Sequence, residues 1–315
     1  MMQTAENKRK LVILAGPTAS GKTAAAIHLA REFDGEVISA DSMQLYKYMD
    51  IGSAKPTKEE QAEAVHHMID FLDPRTPWSV AEYQKMAKEI IADVFSRGKL
   101  PIICGGTGLY VNSILYEMDF TATPAQSDFR DKLKEAVDIH GPEYVHNMLR
   151  EKDPEAAERI HPNNVKKVIR ALEVLEEGDR IPEFSNSFVK CEDYECILTA
   201  LTLDRQDLYD RINLRAEMLV EMGLIEEVRG LLEMGLTEED ISMKGIGYKE
   251  VFGHLRGEYD LAETLALIQQ NTRRYAKRQL TWFKRYPDVQ WFNISEYPSR
   301  EAALEALTAY LRGRL

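Results

Sequence analysis

The chain has 315 residues, of which 44% are hydrophobic and 29% charged, a composition typical of a globular protein with a sizeable core. Its three cysteines form no CxxC pair, which argues against a disulfide framework and a zinc module and favours a reducing, cytoplasmic location. No apolar run approaches the roughly 20 residues that span a bilayer, and the net charge of −12 argues mildly against a nucleic-acid partner unless basic residues cluster locally.

Short strands and helices alternate over the first 117 residues. Strands are predicted at KLVILAG, GEVISAD, HHMIDFLDP and KLPIICGG, and helices at GKTAAAIHLAREF, VAEYQKMAKEIIADVFSRG and TGLYVNSILY. This alternation predicts an α/β fold in which helices flank a parallel sheet with right-handed crossovers.

The alternation stops near residue 118 and resumes near residue 191. The segment 118–190 has a helical pattern with turn signals, and the strand-like run ECILTALTL follows it. The last third is largely helical, with a final strand at VQWFNI and a closing helix at SREAALEALTAYLRG. We therefore predict an α/β core formed by residues 1–117 and 191–315, with an all-helical insertion domain at 118–190.

The turn after the first strand fits the P-loop pattern G-x-x-x-x-G-K-[ST] and lies between a strand and a helix, as that motif requires. Its backbone N–H groups and the helix N-terminus favour an anion. Lys22 adds a full charge, and the hydroxyl of Thr23 is placed to ligate Mg²⁺. The alternative is a glycine-rich turn without a ligand. The predicted phosphate site consists of Gly16, Pro17, Thr18, Ala19, Ser20, Gly21, Lys22 and Thr23.

The P-loop alone does not decide the reaction. Hydrolysis of ATP needs a Walker-B carboxylate, but the strand KLPIICGG ends in Cys-Gly-Gly. Asp41 follows the second strand, at the sheet edge where α/β proteins bind ligands. From the residues alone, Asp41 is a candidate general base, or else it caps a turn or holds Mg²⁺ through water.

Basic residues cluster locally in spite of the acidic total. The segment RRYAKRQLTWFKR contains six basic residues and no acid, with Tyr275 and Trp282 placed to stack on bases or to pack in the core. NNVKKVIR and KGIGYK contribute further charges. A solvated face is the alternative to a nucleic-acid surface. The candidate nucleic-acid-binding cations are Lys166, Lys167, Arg170, Lys244, Arg273, Arg274, Lys277 and Arg278.

Five motifs in order, GPTASGKT, DSMQLYKYMDIGSAKP, GGTGLY, RIHPNNVKKVIRALEV and TRRYAKRQLTWF, resemble the isopentenyl-tRNA transferase family over residues 10–286. The resemblance implies a P-loop NTPase-like sheet whose P-loop holds the pyrophosphate of dimethylallyl diphosphate rather than ATP. Atom N6 of adenosine 37 in tRNA would attack C1 of the dimethylallyl group and release pyrophosphate, with Mg²⁺ as cofactor. The protein is expected to act as a monomer, and its helical insertion to contact the anticodon loop.

The resemblance also implies roles for individual residues. Asp41 would be the base, Thr107 and Arg130 would act at the reacting centre, and Arg215 would bind the diphosphate. The DSMQ turn and the 166–170 segment would contact tRNA, with Gln44 best suited to read an adenine edge. Alone, Thr107 reads as a helix N-cap, and Arg130 and Arg215 as surface residues. The implied tRNA contacts beyond the basic residues are Asp41, Ser42, Met43, Gln44, Val168 and Ile169.

Other functions remain open at the level of sequence. A small-molecule kinase would explain the P-loop and the acidic charge, but not the DSMQ motif or the basic segment. An adenylate isopentenyltransferase would share the P-loop and Asp41 but prenylate free AMP or ADP. An RNA-binding protein that uses the P-loop as a nucleotide switch would leave Asp41 without a role.

Overall fold

The structure is a computed structural model that describes residues 8–118, 127–176 and 189–315. The chain divides into two compact units. The first consists of Met1–Tyr116 and Cys191–Leu315, and the second of Glu117–Lys190. The predicted domain boundaries differ from this division by one residue.

The first unit contains a parallel sheet of six strands in the order β3-β2-β4-β1-β5-β6, which confirms the predicted α/β fold. The third strand is much shorter than HHMIDFLDP predicted, because Met68 and Asp70 adopt positive φ angles of 60° and 54° that end the extended backbone. The strands are β1 Lys10–Ala15, β2 Gly35–Ser39, β3 His66–His67, β4 Leu100–Gly105, β5 Glu195–Thr202 and β6 Gln290–Asn293.

Nine of the described helices belong to the first unit. The sequence analysis missed the second of them, which begins with a capping box between Thr57 and Glu60. They are α1 Lys22–Glu32, α2 Lys58–Glu63, α3 Val80–Ser96, α4 Gly108–Leu115, α9 Arg205–Glu221, α10 Leu224–Glu233, α11 Tyr248–Leu255, α12 Leu261–Phe283 and α13 Arg300–Arg312.

One face of the sheet is covered by α1 and α13. Val12 and Leu14 of β1 are fully buried against the alanine-rich face of α1, and Leu307 and Leu311 of α13 complete the same cluster. Alanine has no side chain beyond Cβ, so α1 packs close to the sheet. This packing fixes the start of α1, and therefore the P-loop, at the carboxyl end of the central strand β1.

The amino end of β2 is held by a buried carboxylate, that of Glu36. Glu36, whose side chain is 3% exposed, accepts hydrogen bonds from both terminal nitrogens of Arg97 and from Nε2 of His67. The hydrogen bonds from Arg97 lower the pKa of Glu36 to about 2 in spite of its burial. The group therefore joins the end of α3 to β2 and β3 through a charged contact.

The second unit is helical, as predicted. Its helices α5 Ser127–His140, α6 Pro142–Lys152, α7 Pro154–Arg159 and α8 Val165–Glu176 enclose an apolar cluster of their own. Val168 and Ile169 belong to that cluster and are 1% and 5% exposed. The prediction that these two residues contact tRNA is therefore corrected: α8 is amphipathic, and they lie on its apolar side.

Candidate active site

The P-loop lies between β1 and α1, and its backbone conformation requires glycine at two positions. Gly16 has φ 143°, and a Cβ atom there would lie 2.4 Å from the carbonyl oxygen of Leu201 in β5. Gly21, the N-cap of α1, has φ 90°. Both angles lie in a region that favours glycine. The two glycines thus let the loop pass close to the sheet and turn into the helix.

The hydrogen-bond partner of Lys22 is a neutral carbonyl group, which does not neutralise the charge of the ammonium group. Its Nζ donates a 2.6 Å hydrogen bond to the carbonyl oxygen of Pro17 within the loop. Burial lowers the pKa of Lys22 to about 8, and the nearby carboxylate of Asp41 offsets this only in part. An anion in the loop would stabilise the protonated amine. The electrostatics therefore favour a phosphate ligand.

Three arginines lie around the same loop. Burial lowers the pKa of Arg215, and Asp41 opposes that change. Nη2 of Arg300 and Nη2 of Arg211 lie 3.5 Å and 3.8 Å from the position that a Cβ atom on Gly21 would take. Within the described ranges, no carboxylate lies within 4 Å of these three guanidinium groups. The sequence analysis missed Arg300, which stands in no recognisable motif.

The loops after β2 and β4 are joined next to the P-loop. Oδ1 of Asp41 accepts a 2.8 Å hydrogen bond from the backbone N–H of Met43, which orients the carboxylate. Oγ1 of Thr107 accepts the N–H of Ser42 at 3.1 Å. Thr107 does occupy the N-cap position of α4, but its side chain makes no capping bond. Its hydroxyl therefore holds the Asp41 loop instead of the helix.

Helix α12 contacts both the P-loop and the loop after β4 through one side chain. Oε1 of Gln279 accepts the N–H of Thr18 at 2.8 Å, and its Nε2 donates to the carbonyl oxygen of Gly106 at 3.0 Å. Gln279 is 5% exposed and was not predicted. A sequence signal did exist, because this amide lies on the apolar stripe between Ala276 and Phe283, where a polar side chain must find buried partners.

Two of the three aromatic residues of α12, Tyr275 and Trp282, are half-buried. Tyr275 hydrogen-bonds with Thr107 and Gln279, and burial raises its pKa well above the usual range. The ring of Trp282 packs so closely on α4 that a Cβ atom on Gly108 would lie 2.3 Å from its Cδ1. Both rings are partly packed within the protein, and stacking on bases stays a prediction.

A family model described as IPP transferase matches residues 44–286, and a second, described as isopentenyl transferase, matches residues 9–75. The chain belongs to the IPP transferase family. A protein of Alkaliphilus oremlandii named tRNA dimethylallyltransferase is 50% identical over 307 residues, which cover 97% of this chain and 98% of that protein.

Solved structures agree with this membership. The full-length tRNA isopentenylpyrophosphate transferase of Bacillus halodurans superposes with a TM-score of 0.73 at 41% identity, covering 98% of this chain and 97% of that one. A eukaryotic dimethylallyltransferase, described as acting on tRNA, gives a TM-score of 0.83 at 26% identity and covers 97% and 80%. None of the described helices of this protein is both long and apolar enough to cross a membrane.

In the turn that follows β2, the amide of Gln44 already makes hydrogen bonds within the protein. Oε1 of Gln44 accepts the hydroxyl of Ser39 at 3.1 Å, and its Nε2 donates to the carbonyl oxygen of Ala54 at 3.2 Å. An adenine edge would have to use the remaining N–H and lone pair of that amide. Met43 packs against Gly245, where a Cβ atom would lie 2.6 Å from its Cε.

The predicted tRNA-binding cations differ in their surroundings. Arg274, Lys277 and Arg278 are exposed on the outer side of α12, whereas Arg273 bonds to Oδ1 of Asn213. Lys244 is exposed and lies 3.2 Å from Glu239. In the second unit, Lys166 and Lys167 are exposed. Arg170 is half-buried, and its Nη1 lies 3.4 Å from Oε2 of Glu173.

Arg130, predicted to act at the reacting centre, lies in the second unit. Its Nε donates to Oε1 of Glu173 at 2.6 Å, and its Nη2 donates to Oε2 at 2.8 Å. Glu173 is 2% exposed, so this bidentate pair is one of the contacts that hold α5 to α8. The structure thus gives Arg130 a structural partner, and a catalytic role stays a prediction.

Proposed function

We propose that this protein transfers the dimethylallyl group of dimethylallyl diphosphate to N6 of adenosine 37 in tRNA and releases pyrophosphate. The observation that carries the proposal is the juxtaposition of two groups: a P-loop with uncompensated cations, and the oriented carboxylate of Asp41 next to it. A phosphate cradle beside a base suits a reaction in which the phosphates leave and an amine attacks.

The cations of the P-loop stabilise the leaving group. An allylic C–O bond breaks with carbocation character, so negative charge accumulates on the pyrophosphate as the bond lengthens. Lys22, Arg215 and the N-terminus of α1 are placed where that charge develops, and they are held there before the reaction. No phosphoryl group changes acceptor in this scheme.

Asp41 takes the proton from the attacking amine. The lone pair of adenine N6 is delocalised into the ring, which makes it a weak nucleophile until a base removes the proton as the new bond forms. The N–H of Met43 occupies Oδ1 of Asp41 and so directs Oδ2 toward the N6 proton. Thr107 keeps the loop in register by accepting the N–H of Ser42.

The bonds between α12 and the loops connect RNA binding to the reacting centre. Exposed Arg274, Lys277 and Arg278 neutralise tRNA phosphates, while Gln279 and Tyr275 of the same helix hold the P-loop and Thr107. Adenosine 37 leaves its stack to reach Asp41. The helical insertion contacts the anticodon loop, with exposed Lys166 and Lys167 as its cations.

Mg²⁺ fits the donor chemistry of this site. The ion prefers oxygen ligands and is held through few protein groups together with substrate phosphates. The hydroxyl of Thr23 at the start of α1 provides such an oxygen, and Asp41 is left as the base. Bound there, Mg²⁺ would supply further positive charge to the leaving pyrophosphate. We also propose a monomer, because the cradle and the base come from one chain. A cytoplasmic location is proposed because the three cysteines are free.

The experiment follows radiolabelled dimethylallyl diphosphate into unmodified tRNA, with wild type and Asp41→Asn in parallel. We expect labelled tRNA from the wild type and at least a hundredfold lower kcat from the variant, since general-base catalysis contributes roughly 10² to 10⁴. Retained binding of pyrophosphate by the variant controls for folding. Label found in AMP instead of tRNA would show that the acceptor is a free nucleotide, and the tRNA part of the proposal would be wrong. ATP turnover without prenyl transfer would overturn the proposal as a whole.

A further inference from the structure

Two arginines from separate helices meet at the rim of the P-loop. Arg211 lies on α9 and Arg300 is the first residue of α13. Their Nη2 atoms lie 3.8 Å and 3.5 Å from one point, the position that a Cβ atom on Gly21 would take. The two guanidinium groups therefore reach the same spot beside the start of α1.

Their positive charges are not neutralised by an ion pair. Burial lowers the pKa of Arg211, the charge of Arg300 lowers it further, and Asp207 opposes the change. Asp207 is itself occupied by the hydroxyl of Ser295 at 2.6 Å, and in the described part of the chain no carboxylate lies within 4 Å of either guanidinium. Arg300 is exposed and Arg211 half-buried, so water screens part of the repulsion between them, and an anion between the two groups would remove more of it.

The cations around the loop form a series that starts at the base. Asp41 acts on the pKa of Lys22 and of Arg215. The charge of Arg211 in turn lowers the pKa of Arg215, and the charge of Arg300 lowers the pKa of Arg211, whereas Asp41 is not among the groups that act on Arg211. The far end of the series is therefore the end away from the reacting centre.

On this basis we infer that Arg300, together with Arg211, binds the distal phosphate of the diphosphate substrate and makes the site selective for a diphosphate over a monophosphate. The inference rests on the proposed function. Carbon C1 is attached to the proximal phosphate and must face Asp41, so that phosphate lies near Lys22 and Arg215. The distal phosphate then lies at the Arg211 and Arg300 end, where two forked guanidinium groups match its oxygens.

The test compares binding of inorganic pyrophosphate and of orthophosphate to wild type, Arg300→Gln, Arg300→Lys and Arg211→Gln. We expect each glutamine variant to bind pyrophosphate roughly tenfold or more weakly, the loss typical of a charged hydrogen bond, with orthophosphate little changed. Arg300→Lys keeps the charge without the fork and should fall between. Arg312→Gln, which removes an exposed arginine at the other end of α13, is the matched control.

Steady-state prenylation gives a second readout. Contacts to the distal phosphate act equally on the bound substrate and the transition state, so the KM for dimethylallyl diphosphate should rise more than kcat falls. The KM for tRNA should not change. Unchanged pyrophosphate binding in Arg300→Gln would overturn the inference, and so would a rise in the KM for tRNA alone, which would assign the arginines to an RNA phosphate.

The two proposals fail separately. If the wild type prenylates no tRNA but its preference for pyrophosphate over orthophosphate depends on Arg300, the site assignment stands and the proposed reaction is wrong. If tRNA is prenylated and the preference is the same in Arg300→Gln, the proposed reaction stands and this assignment is wrong.

Discussion

Lys22 makes the affinity for the diphosphate depend on pH in a range where P-loop lysines are ordinarily charged. With a pKa of about 8 in the unliganded protein, the amine is roughly nine-tenths protonated at about pH 7 and roughly one-tenth at about pH 9. A bound diphosphate stabilises the ammonium form and raises its pKa toward the ordinary 10.5. Binding above pH 8 therefore requires uptake of a proton.

The sign and size of the effect follow from that linkage. Affinity is level below the pKa of the free protein and falls as pH rises above about 8, by roughly tenfold or 1.4 kcal/mol for each pH unit. The stability of the unliganded protein changes in the opposite direction. The folded-state pKa lies below the unfolded value of 10.5, so the cost of burying the charge is present below pH 8 and is relieved between pH 8 and 10.5.

The assay is calorimetric titration of dimethylallyl diphosphate into the protein from about pH 6.5 to 9.5, in buffers of differing ionisation enthalpy, which reports the protons taken up. Lys22→Met is the comparison, because the same ligand ionises identically with both proteins. The variant should bind more weakly at pH 7, with a flatter pH profile, and it should melt at a higher temperature when unliganded. A wild-type profile that stays level through pH 9.5, or the same slope in Lys22→Met, would refute the reasoning.

Three further changes test the surroundings of the site. Glu36→Gln should lower the free energy of unfolding by about 3 kcal/mol near pH 7, and the loss measured in urea should shrink as pH falls from 4.5 toward about 2, where the wild-type carboxylate itself protonates. Gly16→Ala should abolish pyrophosphate binding, because its Cβ would lie 2.4 Å from the backbone oxygen of Leu201; normal binding would show that the loop can move. Thr107→Val should leave the N–H of Ser42 unpaired and lower kcat while pyrophosphate binding persists; an unchanged kcat would contradict its positioning role.

The sequence by itself determined the elements whose signal is local. Hydrophobic runs predicted all six strands, although the third is much shorter than its run, and the spacing of Gly16, Gly21 and Lys22 defined the phosphate cradle before any tertiary contact was known. The motif order gave the family. These signals suffice because strand burial, glycine conformation and helix starts are set within a few residues of chain.

Tertiary structure decided which distant side chains surround the cradle. Gln279 reaches Thr18 and Gly106, and Arg300 reaches Gly21, only because α12 and α13 pack back against the core. In the second unit, the packing of its own helices buried Val168 and Ile169, although they stand among lysines in the sequence. Periodicity tells that a helix has an apolar face. It does not predict which loop the helix packs against, and this packing determines where the cations and hydrogen bonds of the site lie.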